Sequence, residues 1–375
     1  MLKVGSDFSG VGAFNQALTR LGVEYQEVFA CDMDKYARQT FIHNYGEPKY
    51  YPTNVYDREI PSESLDIYMT SPPCQAFSLA GKRLGKDDKR GILFFNSYEF
   101  IQVNNPRFFI FENVKGLLSD DGGNTFQEWI NMLGGRSVNG LPILFPYDNA
   151  LPYHLYWQVL NAKHHGVPQN RERVFLIGIR DDKNNNFRFP VEEHLSKRLK
   201  DVLEEEVDDK YFLSDELIND IFIDDYKIKS NTIKGYEQVT IEDSINFSVP
   251  SSETRRGRVG KGVAQTLDTG CNQAVIQLNP SLESGGKQPY QQNRIYDSNA
   301  LCPALNAGQC TWGGNIVTFP NQYRIRRLTP RECFRLMDFP DTFTWDVSDS
   351  QAYKQAGNSI VVRVLEKIIK NLLQI

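Results

Sequence analysis

Residues 3–12, Lys3-Val4-Gly5-Ser6-Asp7-Phe8-Ser9-Gly10-Val11-Gly12, carry the reading that decides the fold. A short strand ends on a carboxylate and runs into a glycine turn, Phe8 to Gly12, and a helix-like stretch from Ala13 to Leu21 follows. Glycines at such a turn let the backbone approach a ligand closely, and the amino end of the next helix favours negative charge. Asp32 stands 20 residues after Gly12, at the end of a second strand-like run, Tyr25 to Ala30. A carboxylate placed there accepts hydrogen bonds from ribose hydroxyls. Gln16 replaces the third glycine of a GxGxxG turn. Taken alone, the turn fits NAD, FAD or S-adenosylmethionine equally.

The pattern continues outward. Leu65 to Met69 reads as a strand stopped by Ser71-Pro72-Pro73, Arg107 to Glu112 as an almost unbroken apolar strand, and Arg173 to Ile179 as a late strand. Strands alternating with helices predict an α/β fold, a mostly parallel, doubly wound sheet that binds ligands beside its strand ends. Past residue 182 the texture changes. Residues 201–225 hold eleven acidic residues against one lysine, a solvated face. Residues 226–323 are rich in glycine, serine and asparagine, with short strands. Thr329-Pro330-Arg331-Glu332 reads as a capped helix start, and 351–373 as one terminal helix. The expected organisation is a catalytic domain from 1–182 and 324–375, interrupted by a smaller, mainly β or irregular domain from 183–323.

The 375 residues are 40% hydrophobic and 24% charged, a globular composition. No apolar run approaches the ~18 residues needed to cross a bilayer, and residues 1–6 carry no signal-peptide hydrophobic region. Six cysteines form no CxxC pair and no zinc-ligand spacing, which points to reduced thiols, a cytoplasmic location and no metal. The net charge of -5 means that nucleic-acid binding must rest on where the charge sits.

Four features carry chemistry. Pro72-Pro73 fix the backbone just before Cys74. A lone cysteine is ordinarily a small buried hydrophobe, but residues 81–91 add five cations on a glycine-rich stretch. That suits a phosphate-contacting flap beside a thiolate. Glu112 ends an apolar strand, where burial would raise its pKa and make it a proton donor; capping of the next helix is the plainer alternative. Arg171 and Arg173 lie two apart on one face of an extended segment. Arg255-Arg256-Gly257-Arg258 gives a second basic run for groove or phosphate contact.

Together, FSGVG (8–12), SPPCQAFS (71–78), ENV (112–114), QNRERV (169–174), RRLTPRECFRLMDFP (326–340) and QAYKQAGNS (351–359) resemble the C5-cytosine DNA methyltransferases of bacteria and phages. They stand in that family's order over nearly the whole chain. The resemblance implies methyl transfer from S-adenosylmethionine to C5 of a flipped-out cytosine in a specific sequence of double-stranded DNA. Cys74 would be the nucleophile that adds to C6, Glu112 the partner of the base, and Arg171 and Arg173 the residues holding base and nucleophile region. Phe8, Gly10, Gly12, Asp32, Met33, Asn54, Val55, Pro73, Leu93, Asn358 and Ser359 would form the cofactor site. DNA contacts would fall to Gln75, Ser78, Lys82, Arg83, Lys89 and Arg90 in the flap, with Arg255, Arg256, Arg258 and Thr266 in a target-recognition domain. A monomer is expected, in a restriction-modification setting or alone. Met33 replaces an aromatic common in the family and Asn54 an aspartate, which weakens the expected hold on adenine. Methylation of a transfer-RNA cytosine and a non-catalytic DNA-binding homologue are the alternatives; the intact Cys74, Glu112, Arg171 and Arg173 set speaks against the second.

Overall fold

A computed structural model describes residues 1–73, 92–180, 185–214, 222–224, 227–240, 243–247, 258–267, 269, 273–277 and 324–375. Within them the chain forms two compact units. The first comprises Met1–Val167, Arg171–His194 and Met337–Ile375, the second Pro168–Asn170 and Leu195–Leu336. The long breaks fall after residues 194 and 336, with Pro168–Asn170 belonging to the second unit.

The first unit is built on β1 (Leu2–Asp7), β2 (Tyr25–Cys31), β3 (Ile67–Thr70), β4 (Phe108–Val114), β5 (Ser137–Val138), β6 (Leu141–Pro142), β7 (Tyr153–Asn161) and, after β8 (Gln169–Asn170) of the second unit, β9 (Glu172–Arg180). The sheet order is β2-β1-β3-β4-β9-β7-β5-β6. β2, β1, β3 and β4 are mutually parallel, while β9 runs antiparallel to both β4 and β7. The sheet is mixed: β9 and β6 oppose the other strands. With β2 on one side of β1 and β3 on the other, the strand order reverses at β1, where an open α/β sheet leaves a crevice at its carboxyl ends.

Sequence explains these strands. β4 is buried from Phe108 to Asn113, as a strand covered on both faces must be. Its Phe109 and Phe111 join Phe29, Tyr68, Phe100 and Trp129 in one core, with Tyr68 stacked on Phe100 at 4.1 Å and Phe94 on Trp129 at 4.2 Å. Helices α1 (Ala13–Arg20), α2 (Lys35–Tyr45), α3 (Ile92–Asn104) and α4 (Asn124–Leu133) belong to this unit. Asp34 caps α2, its Oδ1 accepting the N–H groups of Tyr36 and Ala37.

In the second unit, Phe222–Asp224, Lys227–Lys229 and Tyr236–Gln238 form one antiparallel sheet. Val259–Gly260, Ser244–Asn246, Gln273–Gln277 and Arg324–Arg327 form another. Ala264–Gln265 pairs in parallel with β8. α5 (Pro330–Leu336) opens with a reciprocal cap: Glu332 Oε2 accepts the N–H of Thr329 at 2.8 Å, and Thr329 Oγ1 accepts that of Glu332 at 3.2 Å.

The terminal helix expected over 351–373 is instead two, α6 (Asp349–Asn358) and α7 (Val362–Leu373), in the first unit. Gly357-Asn358-Ser359 are poor helix formers and break the run. α7 buries Val362, Leu365, Ile368, Ile369 and Leu372, one helical face.

Candidate active site

The carboxyl ends of β1, β2, β3 and β4 meet the start of β9 and the segment Lys354–Ile360 around a cavity of about 1050 Å³ within the first unit. At its base the chain leaves β1 through Phe8 (φ 56°) and Gly10 (φ 55°), both left-handed. The N–H of Gly10 donates to Asp32 Oδ2 at 2.8 Å, and that of Asp34 to Oδ1 at 2.8 Å. Asp32 therefore holds the turn as well as facing the cavity. Burial pushes its carboxyl up, against those two donors. A Cβ on Gly10 would meet nothing within 4 Å, so its face is open to a ligand. Gly12, the other glycine expected at the cofactor, has φ 86°, and a Cβ there would lie 2.3 Å from the Tyr45 ring. Its glycine is required by the packing of α2.

The remaining expected cofactor residues, Met33, Asn54, Val55, Pro73, Leu93, Asn358 and Ser359, line the cavity together with Phe8, Gly10 and Asp32. Met33 is 86% exposed at the rim. Asn54 is occupied locally: its amide donates to Asp57 Oδ2 at 2.7 Å, and its oxygen accepts from the Tyr56 N–H.

Glu112, Arg171 and Arg173 line the same cavity. Arg173 and Val114 are opposite one another, because β9 starts where β4 ends. Antiparallel pairing thus delivers two arginines from the beginning of a strand to the carboxyl edge of the sheet. Arg173 Nε lies 3.0 Å from Glu112 Oε1. Burial pushes the Glu112 carboxyl up, opposed by the charges of Arg173 and Arg171. Arg171 is buried and donates to the carbonyls of Gly357 at 3.0 Å and Ser359 at 2.8 Å. It clamps the segment that carries Asn358 and Ser359.

Cys74, Gln75, Ser78, Lys82, Arg83, Lys89, Arg90, Arg255 and Arg256 lie outside the described residues. Pro72, two residues before Cys74, is held in place: its carbonyl accepts from Asn113 Nδ2 at 3.3 Å. Arg258, expected on a DNA-facing loop, is only 1% exposed, and its guanidinium donates to the Asn246 carbonyl. Its side chain packs inside the second unit. Thr266 is exposed, with its hydroxyl donating to the Asn170 carbonyl at 2.7 Å.

Sequence reasoning missed Asn113, Lys354 and the pair Asp7–Arg58. Lys354 lines the cavity and its Nζ lies 2.6 Å from Asp34 Oδ2. A carboxylate such as Asp7 at the end of a buried strand signals a hidden partner, but the 51 residues to Arg58 leave that partner unnamed.

Among the described residues no helix is long and apolar enough to cross a membrane, and no group of three His, Cys, Asp or Glu is placed to hold a metal. Comparison with known proteins agrees with the layout. The family model for C-5 cytosine-specific DNA methylases matches residues 2–374. The chain is 33% identical to the orphan methyltransferase M.SPRI of Bacillus phage SPR, over 99% of this chain and 97% of that protein. It is 32% identical to the type II methyltransferase M.HhaI of Haemophilus parahaemolyticus, over 97% and 92%. In fold it resembles a mutant DNMT2 of Spodoptera frugiperda, with a TM-score of 0.63 at 21% identity over 100% of both chains. The S. pombe Dnmt2 methyltransferase gives 0.62 at 20%, over 100% and 99%. A match across the whole chain, on a sheet whose strand ends gather the expected glutamate, arginines and glycine turn, makes this protein a member of the C-5 cytosine-specific DNA methylase family.

Proposed function

We propose that the protein methylates C5 of a cytosine rotated out of double-stranded DNA, with S-adenosylmethionine as methyl donor and Cys74 as nucleophile. The observation that carries this reading is a buried carboxyl, Glu112, 3.0 Å from Arg173 and in one cavity with the open turn at Gly10 and with Pro73, the residue before Cys74.

The cavity residues fit the cofactor. A face at Gly10 with no Cβ accepts close approach, Asp32 offers a carboxylate to the ribose, and Asn54, Val55, Leu93, Asn358 and Ser359 enclose the rest. When bound, S-adenosylmethionine supplies an activated methyl group.

C5 of cytosine is a poor nucleophile until a thiolate adds to C6. Cys74 sulfur forms that bond, and the electron pair moves into the ring toward N3 and C5. Glu112, in its protonated form, gives N3 its hydrogen bond and stabilises the charge that develops; an arginine at O2 acts in the same direction. Methylated C5 then loses its proton, and expulsion of the Cys74 thiolate restores the ring. A stacked base is out of reach, so the cytosine rotates out at a cost of about a few kcal/mol. Gln75, Ser78, Lys82, Arg83, Lys89 and Arg90 would offer polar groups and charge to the phosphates, with Arg255, Arg256, Arg258 and Thr266 as further candidate DNA contacts. We assign the enzyme to the DNA (cytosine-5-)-methyltransferases, acting as a cytoplasmic monomer.

Incubation with tritiated S-adenosylmethionine and either duplex DNA or total tRNA tests the substrate: label belongs in DNA, and label in tRNA alone would move the protein to RNA modification. Duplex DNA carrying 5-fluorocytosine should leave a permanent conjugate through Cys74. A mass-spectrometric map that finds no conjugate, or finds it on another residue, overturns the mechanism.

A further inference from the structure

Beneath the cofactor turn lies an ionic cluster that the chemistry above does not use. Asp7 and Arg58 are buried, with side chains 0% and 2% exposed. Arg58 Nε donates to Asp7 Oδ1 at 2.8 Å, its second nitrogen to Oδ2 at 2.7 Å, and the Tyr68 hydroxyl to the same Oδ2 at 2.6 Å. That second nitrogen also donates to the Asn96 carbonyl at 3.0 Å, and the guanidinium lies over the Phe100 ring at 4.8 Å.

Each member is attached to a different wall of the cavity. Asp7 precedes Phe8, Tyr68 precedes Met69, Arg58 follows Val55 by three residues, and Asn96 follows Leu93 by three. Four separate segments therefore meet at one guanidinium–carboxylate pair, Asn96 through Arg58 and Tyr68 through Asp7.

We infer that Arg58, locked on Asp7, is a positioning residue for S-adenosylmethionine, setting the spacing of the four segments that wall its site. This rests on the reading of the cavity as the cofactor site. Burying two charges is costly, and apolar side chains of similar volume commonly hold a fold as well. What a two-pronged guanidinium–carboxylate contact adds is direction, because its bond angles fix where each backbone lies. The charges act on the geometry of the cavity more than on the stability of the fold.

The test replaces the pair by apolar groups, Asp7→Leu together with Arg58→Met, with Arg58→Lys as a second variant that keeps the charge and loses the fork. Titration calorimetry with S-adenosylmethionine and S-adenosylhomocysteine is read beside thermal melting, hydrogen exchange at residues 8–12, and steady-state kinetics. The double variant is expected to melt no lower than the wild type. Its Kd should rise at least tenfold, amide exchange at the turn should quicken, and KM for the cofactor should rise by a larger factor than kcat falls. If the double variant does not fold, Arg58→Lys decides by the same criteria. Folded variants that bind both ligands within twofold of the wild type overturn the positioning role alone. A wild-type protein that binds neither ligand overturns the cofactor reading, and the positioning role with it.

Discussion

Arg173 Nε and Glu112 Oε1 lie 3.0 Å apart because the strand carrying the arginine runs against the strand carrying the glutamate. A buried carboxyl is thereby set between two opposing influences: loss of water, which favours its protonated form, and a cation, which favours the anion.

Glu112→Gln should lower methyl transfer about 100-fold or more, the scale of a lost acid, while cofactor binding persists. In the proposed mechanism Glu112 acts in its protonated form, so the rate should fall on the alkaline side. Arg173→Ala removes a group that favours the anion and should move that alkaline limb to higher pH. Single-turnover rates against pH decide it; a limb unmoved in Arg173→Ala would belong to another group.

Glu27 supplies a separate pH effect, on stability. Its carboxylate accepts from the Asn15 amide, and burial pushes its pKa up to about 8 from an ordinary 4.5. A raised carboxyl stabilises the fold below the unfolded value, and the contribution is lost as pH climbs from 4.5 through 8. Glu27→Gln should therefore melt above the wild type at pH 8.5 and gain no comparable advantage at pH 4.5. Equal differences at both values would remove Glu27 from the account.

Gly10→Ala and Gly12→Ala should fail differently. Both positions have positive φ, worth about 1–2 kcal/mol for an alanine. At Gly10 the added carbon meets open space, so stability falls by about that much and S-adenosylmethionine binding is blocked. At Gly12 it meets the Tyr45 ring, which Phe41 and the Gln16 side chain hold in place, and the loss rises to about 3 kcal/mol. Denaturant midpoints and calorimetry on the two variants distinguish the effects.

Arg171→Lys keeps the charge on a shorter side chain, drawing the donor back from the Gly357 and Ser359 carbonyls that one guanidinium nitrogen now reaches. Stability should fall by about 2 kcal/mol, with faster hydrogen exchange at 358–360 and a weaker hold on cofactor. Unchanged exchange there would show that the clamp is redundant.

Much of the sheet was legible because its strands are nearly continuous apolar runs between glycine or proline signals, as Phe108 to Glu112 illustrates. Strand direction was not, since a run such as Arg173 to Ile179 reads alike either way. The antiparallel sense of β9 had to come from its neighbours. The turn at Gly10 was legible from local chemistry, whereas the reason for Gly12 sits on α2, and the burial of Arg258 depends on Asn246. The Asp7–Arg58 contact was invisible for the same reason: its partners are far apart in the chain and nothing local names them.

The wall contributed by Lys354 to Ile360 has a consequence for how the molecule comes into being. Phe8 and Gly10 lie far from it in sequence, so the hollow is enclosed only once both stretches have been made and have folded together. A chain that carries the glycine turn without Lys354 to Ile360 lacks the far wall of the cavity. Two fragments severed between these regions would have to reunite before the hollow is whole.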